Sequence, residues 1–239
     1  MGLEDKLKKG QETYKRIKRV LYPIYELLYR AEAEGNRSIK GPAALFFLHP
    51  SSIDYAPNGY AVEAPISFVY RETAARRGFK IDLTTPLGAI AGGIPVRVSG
   101  KNHNAQAIDY KAFCNVLDNN GIVGIALQDD SGISDRLEIR AGGVEMCLLY
   151  QLRRRRHIDL VPVGLDYSSL AHKVLTFPRT NIPLPLLTKI TTRIGEPVRT
   201  ELPDHNRESF KNYAEMYTFA IANEAAILSN RNYDSITIK

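Results

Sequence analysis

The sequence predicts an α/β fold: a largely parallel mixed sheet flanked by helices, with an N-terminal amphipathic helical segment in front of it. Three observations carry this. From residue 41 onward, short apolar runs of strand length alternate with stretches of helical period. Before that, apolar residues recur at three- and four-residue steps over a much longer span. And 239 residues, 44% of them hydrophobic and 24% charged, can bury a sizeable core without a disulfide or metal staple. The natural division is a basic amphipathic helical segment, 1–40, and an α/β domain, 41–239.

Residues 3–34 read as one long helix. Tyr14, Ile17, Leu21, Ile24 and Leu28 mark one face, with Val20 and Leu27 beside it. Pro23 is expected to kink or split it. Between Lys6 and Arg19 there are seven cations against Glu12. A helix of that kind either lies on an anionic bilayer or packs its apolar face on the domain and solvates its charges. After the linker "GNRSIKGP" comes the first strand, "AALFFLH", bounded by Pro42 and Pro50. "ISFVYRE" is the second strand and leads into a short helix, "TAARRG"; "GGIPVRV" is the third. Residues 104–119 read as helix, and "GIVGIAL" is the fourth strand. "AGGVEMCLLYQLRRRR" is a helix whose four terminal arginines complement its dipole. "IDLVPVGLDY" is the fifth strand, Thr176 to Leu187 a proline-rich loop, "KITTRIGEPV" the sixth strand, and residues 206–229 a final helix.

Composition narrows the function. Two cysteines, Cys114 and Cys147, occur in no CxxC or Cys/His spacing, so two reduced, buried thiols and a cytoplasmic compartment are expected. No run approaches the length of a membrane-spanning helix. The opening "MGLEDKLKKG" lacks the apolar core of a signal peptide, and Lys6 stands where a myristoylation motif has Ser or Thr. A net charge of +6 favours an anionic partner. With no tryptophan and no interleaving of aromatic and basic residues, nucleic acid is not the expected one. The GxSxG, GxxxxGK[ST], HExxH and GxGxxG signatures are absent.

The stretch "LFFLHPSSIDYAPNGY" then stands out. An apolar strand stops at His49, and Asp54 comes five positions later through Pro50, Ser51 and Ser52. Those three residues favour a turn, which can return the carboxylate to the imidazole. A histidine is poised to take a proton from a hydroxyl at neutral pH. A carboxylate on its other nitrogen fixes the tautomer and stabilises the imidazolium. No protein nucleophile is required if the attacking hydroxyl belongs to the substrate and the electrophile is an activated acyl group such as a thioester.

In "FFLHPSSID", "FVYRETAARRG", "PLGAIAGGIPVR", "LVPVGL" and "RIGEPV", taken in that order over residues 43–198, the chain resembles the glycerolipid acyltransferase family, which includes the acylglycerol-phosphate acyltransferases. The resemblance implies His49 as general base and Asp54 as its partner. It makes Arg97 a phosphate-binding arginine, next to the basic-acidic pair Arg71 and Glu72 and the strand proline Pro162. The family's third block, a Glu-Gly-Thr-Arg sequence, has no direct match: here the strand is followed by "QDDSGISDRLEIRAGG". Asp129 or Asp130 stands in for the glutamate, and Arg136 or Arg140 for the missing arginine.

The resemblance implies acyl transfer from acyl-CoA or acyl-acyl-carrier-protein, as co-substrate, to the hydroxyl of a lysophospholipid or glycerol phosphate. No resident cofactor or metal is implied, and the expected location is peripheral, on the cytoplasmic face of a membrane. The alternatives are the same chemistry on an amine, sugar or non-phosphorylated acceptor, and a catalytically silent relative that binds lipid.

Overall fold

The structure, a computed structural model, describes residues 3–48, 54–71, 93–99, 105–128, 136–169, 183–201 and 207–238. In chain order its elements are helix α1 (Leu3–Tyr29), strands β1 (Glu32–Gly35) and β2 (Ala43–Phe47), helix α2 (Tyr55–Ala61), strands β3 (Ile66–Arg71), β4 (Ile94–Ser99) and β5 (Ala105–Ile108), and helix α3 (Tyr110–Asp118). Strands β6 (Ile122–Ala126) and β7 (Arg136–Ile139), helix α4 (Gly142–Arg154), strands β8 (Asp159–Ser169) and β9 (Thr188–Ile194), helix α5 (Arg207–Leu228) and strand β10 (Ser235–Ile238) complete the set.

Eight strands form one sheet in the order β1-β9-β8-β2-β6-β3-β4-β5. The pairs β1/β9, β8/β2, β2/β6, β6/β3 and β3/β4 are parallel, whereas β9/β8 and β4/β5 are antiparallel. The fold is therefore the expected α/β class with a mostly parallel mixed sheet. Strand β2 lies at its centre with every residue buried, as befits a parallel strand covered on both faces. Its side chains alternate between two cores. Ala44, Phe46 and Leu48 join α3, α4 and α5 on one side; Ala43, Leu45 and Phe47 join α1 and α2 on the other. Crossovers of a single hand put helices on opposite faces when they run opposite ways along a sheet. The step from β2 through α2 to β3 and the return from β6 through α4 to β8 do this.

Several elements depart from the sequence-based expectation. The first helix ends at Tyr29, and Glu32–Gly35 pairs in register with Thr191–Ile194 as an edge strand. The helix passes through Pro23 as one element and is not split. Its packing face also differs. Tyr14 and Leu28 of the expected face do pack on the core, but Tyr25 and Tyr29 join them, while Val20, Leu21, Ile24 and Leu27 are exposed. The stretch expected as helix from residue 104 begins as strand β5, paired antiparallel with β4. Helix α3 starts only after Asp109, whose carboxylate accepts from the Ala112 N–H at 3.1 Å as an N-cap. Strands β7 and β10, which pair with each other outside the main sheet, have no counterpart in the sequence-based expectation. The expected helix "TAARRG" and most of the proline-rich loop lie outside the described residues.

Other features arise from chemistry already visible in the chain. Cys114 and Cys147 are free and buried. The arginines after α4 tie down the turn after α3: Arg154 meets the Asp118 carboxylate at 2.9 Å and Arg156 donates to the Asp118 carbonyl at 3.3 Å. Pro162 sits inside a central strand without leaving an acceptor stranded. Its carbonyl takes the Gly195 N–H at 2.9 Å, on the side where β9 has ended, so a missing N–H there breaks no ladder. Gly164 lets α5 lie directly on β8; a Cβ there would come within 2.3 Å of the Leu228 carbonyl carbon. At the other end of that contact Arg193 meets Glu34 on β1 at 2.8 Å and Asp166 on β8 at 3.1 Å, and donates to the Leu228 carbonyl at 3.0 Å.

Candidate functional site

In open α/β sheets, ligands are held where parallel strands end and their connections diverge. That place here is the carboxyl edge of β2. The chain leaves β2 toward β3, while the connection from β6 returns past β2 to β8. Leu48 is buried, and the chain re-enters the described residues at Asp54, at the start of α2. His49 lies outside the described residues.

Asp54 is wholly buried. It occupies the cap position of α2, but its side chain makes no cap bond to the helix. The carboxylate instead accepts a hydrogen bond from the Tyr167 hydroxyl. Taking a carboxylate out of water is costly unless donors replace its hydration. Tyr167 is such a donor. Burial and the negative charge of Asp54 both push its phenol well above its ordinary pKa, so it keeps its proton. It reaches the site because β8 outruns β2. Phe47, the last residue of β2, pairs with Val163, and Tyr167 lies four residues further along β8, a rise of about 13 Å.

The rest of the site is built from α2 and α1. Asn58, one turn into α2, donates its amide to the Asp54 backbone carbonyl at 2.7 Å. Among the described residues, its own Oδ1 and the hydroxyl of Tyr25 are buried without a hydrogen-bond partner. The Tyr25 phenol is raised by burial first and then by the charge of Asp54. Helix α1 also contributes Tyr14 and Tyr22, whose hydroxyls lie 3.1 Å apart over Gly59. The C-terminus of α2 is held by two cations. Arg37 donates to the carbonyls of Ala61 at 3.1 Å and Tyr60 at 3.2 Å, and Lys18 of α1 donates to Val62. Burial, and after it the nearby Arg37, lowers the pKa of Lys18. Cations suit a helix C-terminus, so these contacts fix α2 and bind α1 to it.

The remaining expected residues divide by position. Arg97 belongs to β4, paired with Ala107 of β5; its backbone is described and its side chain is not. In register it stands two residues beyond Pro95, which pairs with Tyr70, and so at the carboxyl edge of the parallel strands. Arg140 is exposed, and its N–H donates to the Leu127 carbonyl at 3.0 Å. Leu127 in turn donates to Phe47 at 2.9 Å. Arg140 is thus tied to the same edge, one strand from the end of β2. Arg136 is exposed at the start of β7, opposite Ser235 of the small sheet. Asp129 and Asp130 lie outside the described residues, directly after Gln128.

Tyr167, Tyr25 and Asn58 are site residues that sequence reasoning misses. Tyr167 has a signal: Val161, Val163, Leu165 and Tyr167 share one face at period two, and a phenol closing an inward apolar series calls for a buried partner.

No protein-family model and no curated protein matches the sequence. The fold does have solved counterparts. The class is an α/β protein with a mostly parallel sheet and a buried carboxylate at its carboxyl edge. A similar solved structure is the 1-acyl-sn-glycerophosphate (LPA) acyltransferase PlsC from Thermotoga maritima, at 16% sequence identity and a TM-score of 0.52, with 94% of this chain and 80% of that chain covered. At that identity the likeness is one of fold.

Proposed function

We propose that the protein is an O-acyltransferase that moves a fatty acyl group from acyl-CoA or acyl-acyl-carrier-protein to the hydroxyl of a lysophospholipid or glycerol phosphate. One observation carries this reading: a fully buried carboxylate, Asp54, held by a phenol at the carboxyl edge of the central strand, five positions after a histidine. The fold it shares with an LPA acyltransferase supports the same reading.

In this mechanism His49 takes the proton of the acceptor hydroxyl as the oxygen attacks the thioester carbonyl. Asp54 orients the imidazole and stabilises the imidazolium. The tetrahedral intermediate then collapses, the thiol leaves, and the proton passes from the imidazolium to the sulfur. Arg97, with Arg136 or Arg140, is assigned the acceptor's phosphate, and Asp129 and Asp130 the acceptor's polar groups. Acyl-CoA or acyl-carrier protein is a co-substrate, and the reaction needs no resident cofactor or metal. Segment 1–40 serves as a peripheral contact with an anionic cytoplasmic membrane face, and 41–239 as the acyltransferase-like unit. Among the described residues no helix is long and apolar enough to cross a membrane.

The test is consumption of acyl-CoA across glycerol-3-phosphate, lysophosphatidic acid and non-phosphorylated acceptors, with His49→Ala beside the wild type. Transfer to a phosphorylated acceptor, lost by about three orders of magnitude or more in a folded His49→Ala protein, is expected. Near-full transfer by that variant would falsify the mechanism, and transfer to non-phosphorylated acceptors alone would displace the proposed substrate.

A further inference from the structure

If His49 and Asp54 form the general-base pair, something must hold Asp54 itself. A carboxylate attached only through Cβ can rotate about its Cβ–Cγ bond, and that rotation decides where its second oxygen points. Tyr167 acts on this freedom. Its hydroxyl donates to Oδ1 of Asp54 from a strand that crosses the centre of the sheet, while Asp54 comes from the start of α2. Tyr167 is 8% exposed as a residue and Asp54 0%, so the bond between them is sheltered from water. Val163 and Leu165 on the same face of β8 are buried in the core shared with α1 and α2, which keeps the tyrosine ring from swinging away. Tyr25 from α1 bears electrostatically on both partners, and Arg231 from the segment after α5 bears on Tyr167.

We infer that Tyr167 is a positioning residue for the general-base pair: its O–H bond to Oδ1 sets the plane of the Asp54 carboxylate and so the alignment of the base that Asp54 orients. This rests on the proposed roles of His49 and Asp54. The bond also draws charge from the carboxylate. Without it, Asp54 attracts the imidazolium more strongly and raises the pKa of the base.

Tyr167→Phe removes one oxygen and retains the ring. The expected result is a kcat lowered about tenfold, an unchanged KM for donor and acceptor, and an acid limb of the kcat–pH profile moved to higher pH. On an Asp54→Asn background the same change is expected to add nothing, because Tyr167 acts through Asp54. If Tyr167→Phe does not fold, 3-fluorotyrosine at position 167 supplies a stronger donor, and the acid limb should then move to lower pH. An unchanged kcat and pH profile in either protein, or a full additive loss on the Asp54→Asn background, overturns the inference. Retention of activity by His49→Ala or Asp54→Asn, or no turnover by the wild type on any acceptor, overturns the base reading instead, and the inference with it.

Discussion

Among the described residues, Asp54 accepts from one phenol, Tyr167, and a second, Tyr25, lies close enough to feel its charge. Neutral donors stabilise a buried anion without adding a second desolvated charge. They also leave a mark on stability at alkaline pH. Burial raises the phenol pKa of Tyr14, Tyr25 and Tyr167, with Tyr22 or Asp54 adding to the shift. A raised folded-state pKa means that the folded protein keeps protons the unfolded chain releases. Stability is then fully present below the unfolded tyrosine value, about 10, and falls as pH rises above it. Each such tyrosine contributes a slope of about 1.4 kcal/mol per pH unit in that window. Urea midpoints measured from pH 8 to about 11 should be flat and then drop. Tyr25→Phe should make the drop shallower, and an equal slope in that variant would exclude the residue from it.

Among the elements, β8 does most to join fold to site. It carries Pro162 where β9 has ended, Gly164 under α5, and Tyr167 beyond the reach of β2. Gly164→Ala would drive a methyl into the backbone of Leu228 and Ser229, which cannot rotate away, at an expected cost of about 2–4 kcal/mol in urea unfolding. Gly142→Ala, where the added Cβ meets nothing within 4 Å at the start of α4, should be neutral or slightly stabilising and serves as the control. The strands of the central sheet and the helices α4 and α5 are legible in the sequence because apolar runs and helical periods there are long. Short edge elements are concealed. Glu32–Gly35 and Ala105–Ile108 contain residues that favour helix or neither state, and become strands through pairing with β9 and β4. The site is half legible for a similar reason. The spacing of His49 and Asp54 can be read along the chain, but the contact between Asp54 and Tyr167 spans 113 positions and carries no local pattern.

The molecule presents two distinct sides of α1. Tyrosines fasten it to α2 and the sheet, while Val20, Leu21, Ile24 and Leu27 face outward, and Leu186 and Leu187 are exposed as well. Lys15, Arg16 and Arg19 lie on the same helix. Apolar side chains flanked by cations suit an anionic lipid surface. Flotation with vesicles containing phosphatidylglycerol should recover the protein, and vesicles of phosphatidylcholine alone should recover less. High salt should weaken the binding. Ile24→Glu with Leu27→Glu should abolish flotation and leave the melting temperature nearly unchanged, because these side chains are 52% and 74% exposed. Continued flotation of that variant would rule out this face as the contact.

The guanidinium of Arg193 gives this arrangement a mechanical meaning. By touching β1, β8 and the end of α5 at once, it ties a four-residue border strand to the centre of the sheet. A border strand of that length would ordinarily fray alone. Here β1 comes directly after α1, so a helix seated on lipid would be coupled through a clamped joint rather than a loose tether. Under the proposed membrane contact, a tilt of α1 would then be felt on the strand that carries Tyr167.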